Sequence, residues 1–285
     1  VSEPHSFSSG LVETDWLEAH LNDPDLRILD ATVFYRTHPV TGAPIIETGC
    51  VQWEQGHIPN STFVDLVSEL SDPSSKLRFA MPSPAMFARA IAQHGVGEGT
   101  RVVVYDSNNT MWATRVWWLL RAFGFEQVAV LNGGWKKWTL ESRPTSTQTI
   151  TRPVGRFQAR LDAAWLATKA QVEREIQNGN TCVINSLARS AHKDAHIPGS
   201  INLPAVEMLD ATTGAYLPID VLREQFKDDN ALDRERVVTY CGAGIAATST
   251  AFVLSLLTQK PVAVYDGSMQ EWTADSSLPV VKGEH

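Results

Sequence analysis

The sequence predicts an α/β protein of two tandem domains, each a parallel sheet with helices on both faces. Short apolar runs rich in Val and Ile alternate with amphipathic segments along the whole chain, as expected of strands buried between crossover helices. Landmarks of the first half return in order in the second: Trp16-Leu17 as Trp165-Leu166, Leu29-Asp30 as Ile184-Asn185, His57-Ile58-Pro59 as His196-Ile197-Pro198, Val103 to Asp106 as Val238 to Cys241, and Gly133 and Trp138 as Gly267 and Trp272. The offsets fall from 149 and 155 to 139, 135 and 134 because the first half carries a longer loop. A unit this long is a duplicated domain, not a solenoid repeat. A polar, Pro-bearing stretch from Glu141 to Arg160 forms the seam. The expected division is residues 1–145, a linker at 146–160, and 161–285.

The elements follow in order. Val12 to Leu21 reads as an amphipathic helix capped by Thr14 or Asp15. Leu26 to Ala31 is a short buried strand. Thr32 to Glu54 holds Pro39, Gly42, Pro44 and Gly49 and reads as loop. The Ile58-Pro59 pair imposes extended backbone on a turn. Ser83 to Gly95 is a helix with Pro84 in its first turn. Arg101 to Asp106 is a strand, Met111 to Phe123 a helix, Val128 to Leu131 a strand, and Gly133-Gly134 turns into a short helix through Trp138. The second half repeats this order.

Composition excludes several function classes. Apolar residues make up 43 % and charged residues 20 %, values of a globular chain. The formal charge is −8 with no Lys/Arg run, which argues against nucleic acid and anionic membranes as partners. No apolar run approaches the roughly 18 residues that span a bilayer. Val1 to Gly10 lacks the apolar core of a secretory signal. Three cysteines, Cys50, Cys182 and Cys241, make neither a disulfide framework nor a zinc site. The odd count fits a reducing compartment with one working thiol, so the cytoplasm is the expected location. Cys182, in Thr-Cys-Val-Ile, reads as core, and Cys50 has no supporting context.

Cys241 is different. Val237 to Tyr240 leads into it, Gly242-Ala243-Gly244 follows, and an apolar helical run starts at Ala246. A free cysteine is usually a small buried hydrophobe. A thiol at the carboxyl end of a strand, opening a glycine loop onto a helix, stands instead where α/β sheets place ligands. Backbone N–H groups and the positive end of a helix converge there and favour a thiolate.

Two halves with an acid-bearing strand, a His-Ile-Pro turn, a Val-Val-x-Tyr strand and a Gly-x-x-x-x-Trp ending resemble the tandem rhodanese-type sulfurtransferases, the thiosulfate and 3-mercaptopyruvate sulfurtransferase family. In that family only the second domain carries the cysteine, which matches Cys241 here against Asp106 in the first half. Asp106 reads as a helix-capping carboxylate. The resemblance implies that Cys241 takes sulfur from a small-molecule donor as a persulfide and passes it to a thiol or cyanide, with a thioredoxin-like reductant among the candidate partners. The amides of Gly242, Ala243, Gly244, Ile245 and Ala246 would cradle the sulfur, and the resemblance implies that no metal or organic cofactor is required.

Loop composition bears on the donor. Thiosulfate-using members resemble Cys-Arg-Lys-Gly-Val-Thr-Ala and mercaptopyruvate-using members Cys-Gly-Ser-Gly-Val-Thr-Ala. This chain reads Cys-Gly-Ala-Gly-Ile-Ala-Ala, closer to the second but without its two hydroxyls. The family's second-domain strand ends Asp-x-Arg with another arginine about four residues on. Here Asn185 replaces the acid and both arginines are missing, leaving Arg189 and His192 as candidate substitutes. Ala195 stands where a glycine usually precedes His196. The resemblance also points to His57 as a catalytic candidate and to Arg115 as a substrate contact, while the tryptophans around Arg115 read as core.

Two enzymatic rivals fail. A cysteine phosphatase of related fold needs an arginine six positions after the cysteine, and position 247 is Ala. A metal hydrolase lacks clustered ligands. A degenerate persulfide carrier or binding module is the remaining alternative.

Overall fold

The computed structural model describes residues 10–178, 181–227 and 231–283; the polar amino-terminal stretch before Gly10 lies outside them. The chain forms two compact units. One comprises the chain up to Pro73, Pro82–Arg160 and Ala211–Ala215; the other comprises Ser74–Met81, Leu161–Asp210 and the chain from Tyr216 onward. Each unit thus includes a short segment lying within the other's stretch of sequence.

The first unit contains β1 (Leu11–Val12), α1 (Thr14–His20), β2 (Leu26–Asp30), β3 (Val33–Thr37), β4 (Pro44–Thr48), α2 (Cys50–Gln55), β5 (Ser61–Phe63), α3 (Pro84–Gln93), β6 (Arg101–Tyr105), α4 (Met111–Ala122), β7 (Val128–Leu131) and α5 (Gly134–Leu140). Five parallel strands lie in the order β1-β7-β6-β2-β5. Val102, Val103, Val104 and Tyr105 of β6 are fully buried, because a parallel strand flanked by crossover helices meets apolar groups on both faces. Ser83 caps α3 by accepting the Met86 N–H, with Pro84 in the first turn.

Two expectations change. Glu13, not Thr14 or Asp15, is the N-cap of α1, since Leu11–Val12 is already paired with β7 and the Thr14 hydroxyl is bonded to Glu141. Part of the expected 32–54 loop is the antiparallel hairpin β3–β4, followed by α2. Pro39 and Gly42 belong to its turn, and Pro44 opens a strand of a two-stranded ribbon, where a missing N–H costs little.

The second unit contains β8 (Leu166–Ala167), α6 (Lys169–Asn178), β9 (Cys182–Asn185), α7 (Arg189–Asp194), β10 (Ile201–Asn202), α8 (Ile219–Gln225), β11 (Val237–Tyr240), α9 (Ala246–Thr258), β12 (Ala263–Tyr265) and α10 (Ser268–Trp272), with single 3-10 turns at Ala163–Trp165 and Ala205–Met208. Its parallel sheet has the order β10-β9-β11-β12-β8, so element for element the two sheets share one strand order. Both cores close on a fully buried tryptophan: the Trp138 indole donates to Pro144 O at 2.8 Å and that of Trp272 to Pro279 O at 2.9 Å. Cys182 is buried in β9, as its sequence context predicts.

Candidate active site

Cys241 follows β11, the central strand of the second sheet, and is 2 % exposed. The next residues turn sharply, with Gly244 at φ +75, a conformation glycine adopts without a Cβ penalty. The loop then enters α9, a 13-residue helix whose first N–H groups face away from any preceding helical turn. The Thr239 hydroxyl donates to Ala247 O at 2.9 Å and fastens the strand to the helix start.

The start of α10 holds this loop from outside. The Met269 N–H donates to Cys241 O and the Gln270 N–H to Gly242 O, both at 3.0 Å. Between them lies Ser268, fully buried and at φ +49, an uncommon conformation for a side-chain-bearing residue. Its hydroxyl accepts the N–H of Cys241 at 3.1 Å and of Gly244 at 3.2 Å, donates to Tyr265 O at 2.8 Å, and lies 4.0 Å from the Cys241 sulfur. Gly242, Ala243 and Ala246 are half-buried and uncharged, while Ile245 is buried. Leu187 borders Gly242, so that a Cβ on Gly242 would lie 3.9 Å from its Cδ2.

The candidate cations are differently placed from what the sequence suggests. Arg189 is committed to the Glu207 carboxylate through Nε at 2.9 Å and Nη2 at 2.5 Å, and both partners are exposed. His192 is buried, and its Nδ1 meets the Asn185 amide nitrogen at 3.0 Å. The Asn185 oxygen is occupied by the Leu187 N–H, so the amide donates and His192 Nδ1 accepts. Burial, followed by the stacked His196 ring with centroids 3.8 Å apart, holds His192 down at about 4. His192 is therefore neutral near pH 7, which corrects its expected role as a substitute cation.

Arg115 and His57 belong to the first unit, and both are fully buried. The Arg115 guanidinium is buried and lies over the Trp118 ring, 4.6 Å from its centroid. His57 Nδ1 meets Trp53 O at 2.6 Å and Nε2 meets Gln148 O at 3.2 Å. His196 likewise meets the carbonyl four residues before it, His192 O, at 2.9 Å. Both histidines pin the His-Ile-Pro turn to neighbouring backbone. Cys50 starts the short α2, where burial and then Glu54 push its thiol up. Among the described residues no cluster of His, Cys, Asp or Glu could hold a metal.

The matching loop of the first unit is filled by its own side chain. Asp106 is 2 % exposed, and its carboxylate accepts the N–H groups of Asn108 at 2.8 Å, Thr110 at 3.1 Å, Trp112 at 3.0 Å and Ala113 at 2.9 Å. It caps α4 as the sequence predicts. Burial pushes its carboxyl up, and the four donors pull against that push.

Sequence reasoning passed over Ser268, Leu187 and Ser186. The available signal for the first was the contrast of Gly267-Ser268 with Gly133-Gly134 between aligned halves.

The family model described as the rhodanese-like domain matches this chain twice, over residues 13–141 and 168–275. A thiosulfate sulfurtransferase of Cricetulus griseus is 31 % identical over 280 residues, covering 92 % of this chain and 91 % of its own. A 3-mercaptopyruvate sulfurtransferase of Escherichia coli K12 is 30 % identical over 282 residues, covering 94 % and 96 %. The crystal structure of SseA from Escherichia coli, described as a 3-mercaptopyruvate sulfotransferase with the rhodanese fold, superposes with a TM-score of 0.80 at 28 % identity, covering 91 % of this chain and 98 % of that one.

Proposed function

Because the chain belongs to the rhodanese-like domain family in both of its halves and is a sulfurtransferase, we propose that Cys241 is its nucleophile and sulfur carrier and that 3-mercaptopyruvate is its donor. The observation that carries this reading is the position of Cys241: it follows a central strand, opens a glycine loop onto α9, and is bordered by uncharged residues. In the first half-reaction the thiolate attacks the donor sulfur. An S–S bond forms and the C–S bond breaks; the electron pair leaves with the three-carbon fragment as pyruvate enolate, and the donor's thiol proton finishes on its methyl group. In the second, cyanide or a thiolate attacks the outer sulfur of the persulfide and the Cys241 thiolate departs unchanged. The loop amides of Gly242, Ala243, Ile245 and Ala246 receive the outer sulfur and its charge, while the Gly244 N–H, expected among them, is held by the Ser268 hydroxyl.

The neutral rim favours mercaptopyruvate over the thiosulfate dianion, because Arg189 already has Glu207 and His192 carries no charge near pH 7. In this reading the two halves arose by duplication of one domain, which their shared strand order supports. Residues 161–285 form the catalytic domain, residues 1–145 are its non-catalytic partner, and 146–160 is the linker. His57 and Arg115 act as framework. A thioredoxin-like protein is the proposed final reductant and the cytoplasm the proposed location; no helix among the described residues is long and apolar enough to cross a membrane.

The test is initial-rate sulfur transfer to cyanide from 3-mercaptopyruvate and from thiosulfate, side by side. Preference for mercaptopyruvate supports the donor assignment, and preference for thiosulfate overturns it. Turnover of neither moves the protein to a persulfide carrier loaded by another protein.

A further inference from the structure

The loop around Cys241 has no side-chain hydroxyl of its own, since Ala243 and Ala246 flank its turn. The structure brings hydroxyls to it from elsewhere. Ser268 lies 4.0 Å from the sulfur, at the outer reach of a hydrogen bond to sulfur, and already gathers the Cys241 and Gly244 amides. Its single proton points at Tyr265 O. Ser186 is the second. β9 and β11 pair in register with Asn185 opposite Tyr240, and the Ser186 N–H donates to Tyr240 O at 2.8 Å, extending the ladder by one residue. Ser186 is therefore the lateral neighbour of Cys241, and neighbours in register on parallel strands share a face. Its hydroxyl is buried and has no hydrogen-bond partner among the described residues.

The first unit lacks both groups. Gly134 stands in place of Ser268 at nearly the same angle, φ +51, and Ala31 stands in place of Ser186, its N–H donating to Tyr105 O at 2.9 Å. At these two positions the hydroxyl is present only in the unit whose loop holds the thiol. Ser268 also adopts a left-handed backbone that glycine would take without strain, a pattern that points from conformation to function.

We propose that Ser268 and Ser186 are positioning residues for the sulfur of Cys241, supplying from outside the loop the hydroxyl donors that the loop lacks. Ser268 orients the loop by holding two of its amides, and it turns its proton from Tyr265 O to the sulfur when the sulfur gains charge, because a hydrogen bond to an anion outweighs one to a carbonyl. Ser186, with no competing partner, donates alongside. Neither makes or breaks a covalent bond.

The inference rests on Cys241 as sulfur carrier, so its test loads the sulfur without the donor pocket. Sodium tetrasulfide transfers one sulfur to a thiolate and leaves as trisulfide, and the persulfide on the Cys241 peptide is then followed by mass. Ser268→Gly suits φ +49 but leaves the Cys241 and Gly244 amides without their acceptor, so it should fold with a modestly lowered melting temperature and lose the Cys241 persulfide about tenfold faster than wild type. Ser268→Ala, which keeps the backbone strain, should show the same loss, and Ser186→Ala a smaller one. In steady state Ser268→Gly should lower kcat with KM within about twofold. Equal persulfide lifetimes in wild type and both Ser268 variants overturn the proposal. Absence of a persulfide on Cys241 in the wild type overturns the carrier reading instead.

Discussion

The turn after β6 and the turn after β11 are built from one plan and differ in what occupies them. After β6, Asp106 folds its carboxylate into the turn and accepts four N–H groups ahead of α4. After β11, Cys241 stands at the same strand end, and residues corresponding to three of those donors by chain position are Ala243, Ile245 and Ala247. The left-handed residue moves by one place, from Thr110 at φ +66 to Gly244 at φ +75, and α9 begins behind Ile245 in an ordinary right-handed conformation. A turn that collects N–H groups suits an anion: in the first unit that anion is the Asp106 carboxylate, and in the function proposed for the second it is the transferred sulfur. A built-in carboxylate makes it a permanent cap, whereas a thiol leaves it for an anion that comes and goes.

The largest expected effect tests the transient anion. Cys241→Ser should abolish sulfur transfer from every donor, a loss of at least about a thousandfold; residual transfer near wild-type rate in the cyanide assay removes Cys241 from the mechanism. Next comes the permanent one. Asp106→Ala leaves four N–H groups without their acceptor and should destabilise the first unit by about 3 kcal/mol, read as a lowered urea midpoint. An unchanged midpoint would show that the carboxylate is not what holds that turn.

Acid should separate the units further. Asp30, at the end of β2, is pushed up to about 6 by burial, with Thr32 and Tyr105 hydrogen bonds opposing. Its folded value lies above its unfolded one, so the stability it contributes is full at low pH and is lost as pH rises through 6. Asn185 takes the corresponding place in the second unit, where His192, held down at about 4, has the opposite sign: its contribution is full above 6.5 and is lost as pH falls toward 4. Between pH 7 and 5 the second unit should lose about 2 kcal/mol and the first gain about 1 kcal/mol from these two groups. Amide hydrogen exchange in β9 and β2 at the two pH values measures this; parallel changes in both strands would contradict it. The smallest effect concerns donor choice. Glu207→Gln frees Arg189 and should raise kcat/KM for thiosulfate about threefold, with mercaptopyruvate little changed; no gain would keep Arg189 out of the donor site.

The parts of this comparison that depend on adjacent residues were legible in the sequence. Val-rich strands, the two Gly-bearing turns and the thiol at a strand end are local patterns, and Asp106 showed its capping role through its position before a helix. The hairpin β3–β4 was hidden because Pro39, Gly42 and Pro44 signal a loop whether they sit in a turn or open an edge strand. Arg189 and His192 looked like cations because residue type fixes formal charge, while Glu207 and the Asn185 amide that decide their state lie elsewhere in the chain. Ser268 was visible only as a serine replacing a glycine. Its meaning needed the third dimension, where one hydroxyl meets two amides and lies within reach of a sulfur.

The interleaving of the two units along the chain bears on how the protein is made. Ser74–Met81 sits inside the first half of the sequence but is part of the second unit, where the Met81 N–H donates to Asp266 at 2.8 Å and the Arg78 N–H to Gln270 at 3.0 Å. Ala211–Ala215 lies deep in the second half but is part of the first unit, where the Lys136 ammonium donates to Ala211 O at 2.7 Å. The first unit thus takes in residues that leave the ribosome some fifty positions after Arg160, where its continuous stretch ends. A gene cut after Arg160 would yield two fragments, each missing a short segment of its own unit: Ala211–Ala215 from the first and Ser74–Met81 from the second.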